Sequence, residues 1–132
     1  MIHSAEEFIR LRDSELEEEY TRSAWDEAPE EVWLEVIEKH PEFRQWVAYN
    51  KTIPESIIRI LANDKQWRVR YFIGMKRKTP SDVLKKLAID KDIGVRRRVL
   101  CNAKVTKEVL EVLAHDSDEE ISQEAEEKLA SK

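Results

Sequence analysis

Apolar residues recur along this chain at helical spacing, in short segments separated by polar turns. Residues 79–104 show the pattern in two groups of apolar positions, Val83, Leu84 and Leu87 followed by Val95, Val99 and Leu100. Side chains three or four residues apart lie on one face of an α-helix. The segment therefore predicts two short helices joined by a polar turn.

The helix-pair pattern repeats every 26 residues. The tetrapeptide Leu-Ala-x-Asp begins at Leu61, Leu87 and Leu113. Three units in phase cover residues 53–78, 79–104 and 105–130, and an earlier unit at 27–52 fits with a one-residue slip in its first half. Repeats of this kind bury their apolar faces against neighbouring units and are typical of solenoids. Four units predict eight helices between about residues 29 and 130.

The ends of the helices carry further signals. Ser4 and Glu7 resemble a capping box that opens an N-terminal helix. Thr79 precedes a proline and an acidic residue, and we expect its hydroxyl to cap the next helix. Asn50 and Asn102 lie at equivalent positions after second helices of their units, which predicts C-cap residues in the left-handed conformation.

Length and composition agree with an all-α protein. A chain of 132 residues is long enough for one domain with a continuous core. Hydrophobic residues make up 41% and charged residues 39%, and two glycines leave little room for sheets joined by tight turns. Residues 1–26 are predicted to form an N-terminal helical cap and 27–132 the repeat array, the two making a single structural domain.

The repeat motif resembles a known family. The residues that carry the resemblance are Leu-Ala-x-Asp, an arginine six residues after the aspartate, Val-x-x-x-Val, and an asparagine before the next Thr-Pro. In this combination residues 27–130 are similar to HEAT-like repeats, and closest to the bacterial leucine-rich repeat variant type. The resemblance implies a right-handed α-solenoid, a curved array that binds protein or nucleic acid, usually without catalysis.

The same resemblance implies a ladder between units, made by the turn aspartate and the arginine of the second helix. Its six-residue spacing is present as Asp64 with Arg70 and Asp90 with Arg96, and Glu38 with Arg44 is a conservative version. The pattern stops in the last unit, where Asp116 faces Ser122. Helical geometry supports an inward Arg96, because at about 100° per residue it falls inside the apolar arc of its helix. A core-facing arginine needs a partner, and Asp90 is the expected one.

Charge is distributed unevenly along a chain of net charge −5. Residues 1–50 carry 5 basic and 14 acidic side chains, residues 51–107 carry 16 and 5, and residues 108–132 carry 2 and 9. The basic middle and the acidic ends either neutralise each other or offer charge to a partner.

Arg97 and Arg98 fall outside the apolar arc and are therefore expected to be available for binding. Second helices line the concave surface in HEAT-like stacks, so the equivalent positions of neighbouring units predict one aromatic and basic strip there. The predicted partner-binding residues are Trp46, Arg68, Tyr71, Phe72, Lys76, Arg97, Arg98 and Lys104. Such strips suit acidic protein hot spots or nucleic-acid backbones. In the alternative interpretation the aromatic residues pack between units and the lysines answer helix dipoles.

Other kinds of chemistry find little support. The three histidines lack the spacing of zinc ligands, no glycine-rich phosphate loop is present, and Cys101 is interpreted as a half-buried packing thiol. We therefore expect no catalytic residue, cofactor or metal. No membrane span or signal peptide is predicted, and the single cysteine fits a reducing cytoplasm.

The sequence thus predicts a non-catalytic protein-binding module of cytoplasmic, bacterial type. A small adaptor or an inhibitor such as an immunity protein would fit, with a toxin or another charged protein as partner. The alternative is nucleic-acid binding through the basic middle segment. HEAT-like DNA glycosylases offer a precedent for it, but they are longer and need a catalytic acid that this sequence does not reveal.

Overall fold

The computed structural model describes residues 1–131 and is built from helices alone. Within that range there are ten α-helices, one 3₁₀ turn at Pro41–Phe43 and no strand, so the all-α prediction is confirmed. The helices are α1 (Ala5–Asp13), α2 (Glu17–Trp25), α3 (Glu30–Lys39), α4 (Arg44–Tyr49), α5 (Glu55–Leu61), α6 (Trp67–Met75), α7 (Ser81–Leu87), α8 (Ile93–Leu100), α9 (Lys107–Leu113) and α10 (Glu119–Ala130).

Helix boundaries follow the period of the sequence. Helices α5, α7 and α9 begin at residues 55, 81 and 107, and α6, α8 and α10 begin at 67, 93 and 119. Each step is therefore 26 residues. The unit at 27–52 departs from this register, because the 3₁₀ turn delays the start of α4 to Arg44.

By its contacts the chain divides into two compact units, Met1–Asn63 and the residues from Asp64 onward. Helices α1 and α2 lie inside the first unit, where α1 packs on α3 and α2 on α4. The division into a cap of residues 1–26 and a repeat array of residues 27–132 stays a prediction.

The first unit is centred on two aromatic rings. Phe8 of α1 meets Trp33 of α3 edge to face, with ring centroids 5.2 Å apart, and both side chains are fully buried. Ser4 opens α1 by accepting from the main-chain nitrogen of Glu7, which is one half of the predicted capping box, while the carboxylate of Glu7 accepts from the main-chain nitrogen of His3 and not of Ser4. Glu19 of α2 accepts from Arg10 and Ser14, and the hydrogen bond from Arg10 is the main cause that holds the pKa of Glu19 below its usual value. The N-cap residue Ser4 thus places the start of α1 as predicted.

The second unit buries the six apolar positions that the spacing selects in residues 79–104. Each is at most 5% exposed. Helix α6 packs along α8 with Gly74 at the contact, where a Cβ atom would lie 3.5 Å from Val99 Cγ2 and 3.6 Å from Arg98 Cβ. A Cβ atom there would make ordinary van der Waals contacts, so the two helices could accommodate alanine at this position.

Two arginines join successive turns of this unit. Arg70 donates from Nε and Nη2 to the carboxylate of Asp90, at 2.7 and 3.2 Å, and from Nη1 to the main-chain oxygen of Asp64, at 2.6 Å. Arg96 repeats this arrangement with the carboxylate of Asp116 and the main-chain oxygen of Asp90. The four side chains are between 4% and 15% exposed. We call Arg70, Asp90, Arg96 and Asp116 the arginine ladder.

The ladder differs from the prediction in its choice of carboxylate. Asp90 offers Arg96 its main-chain oxygen, and the carboxylate comes from Asp116. The carboxylate of Asp90 is already occupied, because its two oxygens accept from Arg70 and one of them also accepts from the main-chain nitrogen of Asp92, 2.9 Å away. The six-residue pattern ends in the last repeat, where Ser122 stands in place of an arginine, but Asp116 still takes part in the ladder as the carboxylate partner of Arg96. Only the arginine is missing from the last unit, where Ser122 Oγ donates to the main-chain oxygen of Ala114.

In the 26-residue repeat at 27–52 the corresponding arginine also contacts the main chain. Arg44 Nε, whose predicted partner is Glu38, donates to the main-chain oxygen of Ile37 at 2.7 Å. The separation is seven residues instead of six, which matches the one-residue slip in this unit. In all three repeats the arginine thus donates to a main-chain oxygen near the end of the first helix, which lies in the following turn for Asp64 and Asp90 and in the last turn of α3 for Ile37.

Asn50 and Asn102 link helices through their side chains. Asn102 Nδ2 donates to the main-chain oxygens of Gly74 and Lys76 at the end of α6, both at 2.8 Å. Asn50 Nδ2 donates in the same way to Ser23 and Asp26 at the end of α2. The left-handed conformation predicted for them is wrong, since no non-glycine residue of the described chain has positive φ and Asn50 has φ −62°. The amides are needed because the last carbonyls of a helix have no partner within it.

Two neighbouring positions complete this pattern. Lys128, 26 residues after Asn102, donates from Nζ to the main-chain oxygen of Leu100 at 2.7 Å. Thr79, predicted to cap α7, instead donates its hydroxyl proton to the main-chain oxygen of Ile73 at 2.6 Å, because its buried side chain faces the end of α6. The helix ends are thus held by side chains from the unit that follows.

Breaking the ladder should destabilise the fold. Arg96→Ala and Asp116→Ala should each lower the free energy of unfolding by about 2–4 kcal/mol, since each strands a buried charge. The double variant should lose clearly less than the two single losses together. Urea unfolding followed by circular dichroism at 222 nm measures all three. Arg97→Ala is the control and should cost within about 0.5 kcal/mol; equal losses for Arg96→Ala and Arg97→Ala would contradict the observed geometry.

The role of Asn102 can be tested with glycine. A left-handed C-cap would accept Asn102→Gly at little cost or with a gain. In the geometry seen here the substitution leaves two main-chain oxygens without their donor, so we expect a loss of about 2 kcal/mol. Lys104→Ala, at an exposed neighbouring position, should cost within about 0.5 kcal/mol. Chemical unfolding of the three proteins decides between the two descriptions.

Candidate functional site

Four residues of α6 and α8 form a continuous row on the second unit. Arg68 Cζ lies 5.0 Å from the ring of Trp67, the rings of Trp67 and Tyr71 meet edge to face at 5.9 Å, and Arg98 Cζ lies 5.1 Å from the ring of Tyr71. We call these four residues, Arg68, Trp67, Tyr71 and Arg98, the aromatic–arginine row.

Helical spacing and packing between helices build the row. Trp67 and Tyr71 are one turn apart on α6, so their side chains share a face. Arg98 reaches the same face from α8, where its Nη1 lies 3.7 Å from the sulfur of Met75. Because α6 packs closely along α8, an arginine of the second helix lies beside the rings of the first.

The two arginines of the row are unlike the ladder arginines. Within residues 1–131, neither Arg68 nor Arg98 contacts a carboxylate. Their cationic groups rest against aromatic faces instead, a contact worth about 0.5–1 kcal/mol at exposed sites. Trp67 is 41% exposed and Tyr71 half-buried. The row therefore presents both charge and apolar surface to its surroundings.

Phe72 and Arg97 flank the row. The ring of Phe72 meets that of Tyr71 edge to face at 5.5 Å, and its side chain is half-buried. Arg97 points away from the row toward α10, with Nη2 at 4.0 Å from Asp118 and 3.7 Å from Glu120. The expectation that Arg97 is unengaged is therefore wrong. At 43% exposure of its side chain these ion pairs are weak, and a partner could replace them.

Lys76 and Lys104 lie at the edge of the predicted strip. Lys76 follows α6, and its main-chain oxygen accepts from Asn102. It is 26 residues from both Asn50 and Asn102, a register position with a structural role in each of those units. Lys104 lies in the turn after α8 with an exposed side chain, and its main-chain nitrogen donates to Asn102 Oδ1 at 2.8 Å.

Trp46 belongs to the first unit, where it forms a cluster of its own. Arg12 Cζ lies 3.8 Å from its ring centroid, and the ring of Tyr49 meets it edge to face at 6.0 Å. Lys51 in turn lies 4.5 Å above Tyr49. The structure thus places Trp46 in a cation–aromatic arrangement formed within the first unit.

Sequence reasoning left two participants out of its list of binding residues. Trp67 is central to the row, and its spacing of four residues from Tyr71 could have identified it. Arg12 covers the face of Trp46 from α1, and no local signal announces such a contact. Sequence reasoning did select Arg68, Tyr71, Phe72 and Arg98, which the structure brings together.

An acidic helix, α10, borders the surface that α6 and α8 form around the row. Helix α10 packs against α8 and has mainly glutamates on its outer positions. These are Glu119, Glu120, Glu124, Glu126 and Glu127. From α6 to α8 to α10 the side chains on this surface thus change from aromatic and basic, to basic, to acidic.

Other chemistry is weakly represented in the described residues. Within residues 1–131 no group of three or more His, Cys, Asp or Glu side chains converges as metal ligands. Cys101 is exposed, which corrects its interpretation as a half-buried thiol. An exposed hydrogen bond from Lys85 holds the pKa of Glu108 below its usual value, which favours a carboxylate in an ion pair over a general acid.

An open groove of about 530 Å³ lies between the turns after α7 and α9. Ile89, Val112 and His115 form parts of its walls, and the ion pair of Arg96 with Asp116 lies among its lining residues. Since that pair belongs to the ladder, the groove marks where two turns meet.

Comparison with protein-family models, with curated proteins and with solved structures finds no match to this chain. The resemblance to HEAT-like repeats therefore rests on the repeat motif itself. Over residues 1–131, none of the helices combines the length and the apolar character that a bilayer crossing needs.

The contact of Arg98 with Tyr71 can be measured without knowledge of a ligand. In a double-mutant cycle of Arg98→Ala with Tyr71→Ala, we expect a coupling free energy of about 0.5–1 kcal/mol. The matched cycle of Arg97→Ala with Tyr71→Ala should give a coupling near zero, because Arg97 points toward α10. Urea unfolding supplies the free energies, and equal coupling in the two cycles would contradict the row.

Proposed function

We propose that this chain is a non-catalytic protein-binding module whose binding face is formed by α6 and α8. The observation that carries the proposal is the aromatic–arginine row, in which two arginines without carboxylate partners flank two accessible rings. We further propose that the helix pairs form a right-handed α-solenoid of about four 26-residue units, with residues 1–26 as its N-terminal cap. The second helices would then line the concave surface.

The composition of the row favours a protein partner. Trp, Tyr and Arg dominate the binding energy of protein interfaces when they become desolvated at the centre of a contact. Contacts among the four side chains hold them in place before binding, which reduces the entropy lost on association. Aromatic rings at this density in a polar surface are better explained by an interface than by solubility.

Electrostatics favour protein over nucleic acid as the partner. A phosphate backbone requires a continuous positive surface, since binding depends on the displacement of condensed counterions. Here Arg97 already lies near Asp118 and Glu120, and the glutamates of α10 border the face. A nucleic-acid backbone that followed α6 and α8 would meet the carboxylates of α10, the helix that packs against α8.

The resemblance to small bacterial HEAT-like proteins supports an adaptor or inhibitor role in the cytoplasm. An immunity-type protein that blocks a toxin is one form of this role. The partner would then be a protein with charged patches, bound through geometry and charge together.

A triple variant tests the proposal. Tyr71→Ala/Arg97→Ala/Arg98→Ala should stay folded and bind its partner about 100-fold more weakly, because it removes two members of the row, Tyr71 and Arg98, together with the arginine beside them. The tagged full chain captures partners from nuclease-treated and untreated lysate of its native cells. Each captured protein is then purified and its dissociation constant measured with wild type and variant.

The matched control is Arg77→Ala/Lys78→Ala, which removes two cations from the turn after α6 and should leave affinity within about twofold. For a protein partner the loss should lie mainly in the dissociation rate. A nucleic-acid partner would instead disappear on nuclease treatment, and the variant would flatten the salt dependence of binding by up to about two units. Unchanged affinity of the triple variant for every purified partner would reject the face.

A further inference from the structure

The arginines of this chain divide by what their guanidinium groups contact. Several form ion pairs with carboxylates, as Arg70 and Arg96 do in the ladder. Three others rest on aromatic rings, and among residues 1–131 none of these three meets a carboxylate: Arg12, Arg68 and Arg98. Two of these three arginines, Arg68 and Arg98, lie at the ends of the aromatic–arginine row, although the chain has 28 acidic side chains with which they could have paired.

A ring contact leaves the donors of a guanidinium group available. The aromatic face covers one face of the planar group, while its N–H bonds point outward in the plane. Carboxylates match that edge with two parallel hydrogen bonds, and an arginine that is already oriented loses less side-chain entropy in forming them. Arg68 and Arg98 are therefore suited to receive carboxylates from outside the chain.

The length of the row sets the separation of those carboxylates. Steps of 5.0, 5.9 and 5.1 Å along the row place the two guanidinium groups no more than about 16 Å apart. Extended chain advances about 3.3 Å per residue, so this distance spans at most about five residues. Between the arginines, the rings of Trp67 and Tyr71 offer apolar surface.

We propose that the aromatic–arginine row binds a short segment of a partner protein that carries two carboxylates, up to about five residues apart, with an apolar side chain between them. The inference rests on the proposed protein-binding function and specifies the chemistry of the partner. One carboxylate pairs with Arg68, the other with Arg98, and the apolar side chain packs on Trp67 and Tyr71.

The neighbouring acidic helix limits the segment to this short motif. A longer acidic run that continued past α8 would approach Asp118 and Glu120, which lie beside Arg97, and like charges there oppose binding. The face thus selects two carboxylates at defined positions and disfavours a general polyanion.

Selection from a random nonapeptide display library, with the folded full-length chain as bait, tests the motif. We expect enriched peptides to share two Asp or Glu residues with an aliphatic or aromatic residue between them. A synthetic peptide of that sequence should bind at least about tenfold more tightly than its Asn and Gln counterpart, because neutral amides lose the charge-assisted hydrogen bonds. Arg68→Gln/Arg98→Gln should cause a comparable loss of affinity.

Two further variants separate charge from geometry. Arg77→Gln/Lys78→Gln removes the same number of cations outside the row and should change peptide affinity by less than about twofold. Arg68→Lys/Arg98→Lys keeps the charge without the planar fork, and its affinity should fall between wild type and the glutamine variant. Circular dichroism and thermal unfolding establish that every variant is folded.

The remaining outcomes count against the inference in distinguishable ways. Peptides that lose binding on Trp67→Ala/Tyr71→Ala but show no preference for acidic residues would overturn the carboxylate motif and leave the protein-binding face intact. If no enriched peptide depends on the row, both the motif and the face are overturned. A 20-nucleotide single-stranded DNA that displaces the peptides and binds the row more tightly than they do would assign it to nucleic acid.

Discussion

The fold of the second unit depends on one interaction, an arginine that bonds to two turns at once. Arg70 holds the main-chain oxygen of Asp64 and the carboxylate of Asp90, and Arg96 holds the corresponding groups one unit later. A charge this deeply buried costs several kcal/mol unless it is fully paired. Each guanidinium therefore has one position in which it is satisfied, and that position fixes the distance between successive turns.

The orientation of the binding face follows from this constraint. Since Arg70 and Arg96 point inward, the residues after them on the same helices, Tyr71 and Arg97, must point elsewhere. The spacing of the turns sets how α8 lies along α6, and the amide of Asn102 fixes the ends of the two helices against each other. Arg98 meets the ring of Tyr71 only because both restraints hold. A substitution in the arginine ladder should therefore also alter the geometry of the aromatic–arginine row.

Features that depend on local sequence were predictable, and those that depend on contacts between units were not. Helical spacing predicted the helix pairs between residues 29 and 130, and the position of Arg96 within the apolar arc predicted its inward direction. The partner of Arg96 could not be derived in this way, because Asp90 and Asp116 are equally plausible until the turns are placed side by side. Arg97 and Arg98 look equivalent in sequence, yet one meets α10 and the other α6. Only packing distinguishes them.

The uneven charge of the chain has a structural explanation that bears on its function. Three of the 16 basic residues in the middle segment pair with acidic C-terminal residues, as Arg96 with Asp116, Arg97 with Asp118 and Lys85 with Glu108. The positive surface that remains is therefore smaller than the count of basic residues indicates. Long-range attraction of a charged partner should be modest. Nearby charges of opposite sign offset one another, and salt screens exposed charges that are more than about 10 Å apart. Binding at the row would then depend on the fit of carboxylates and apolar groups at contact distance, which gives selectivity where a uniformly basic surface would give only affinity.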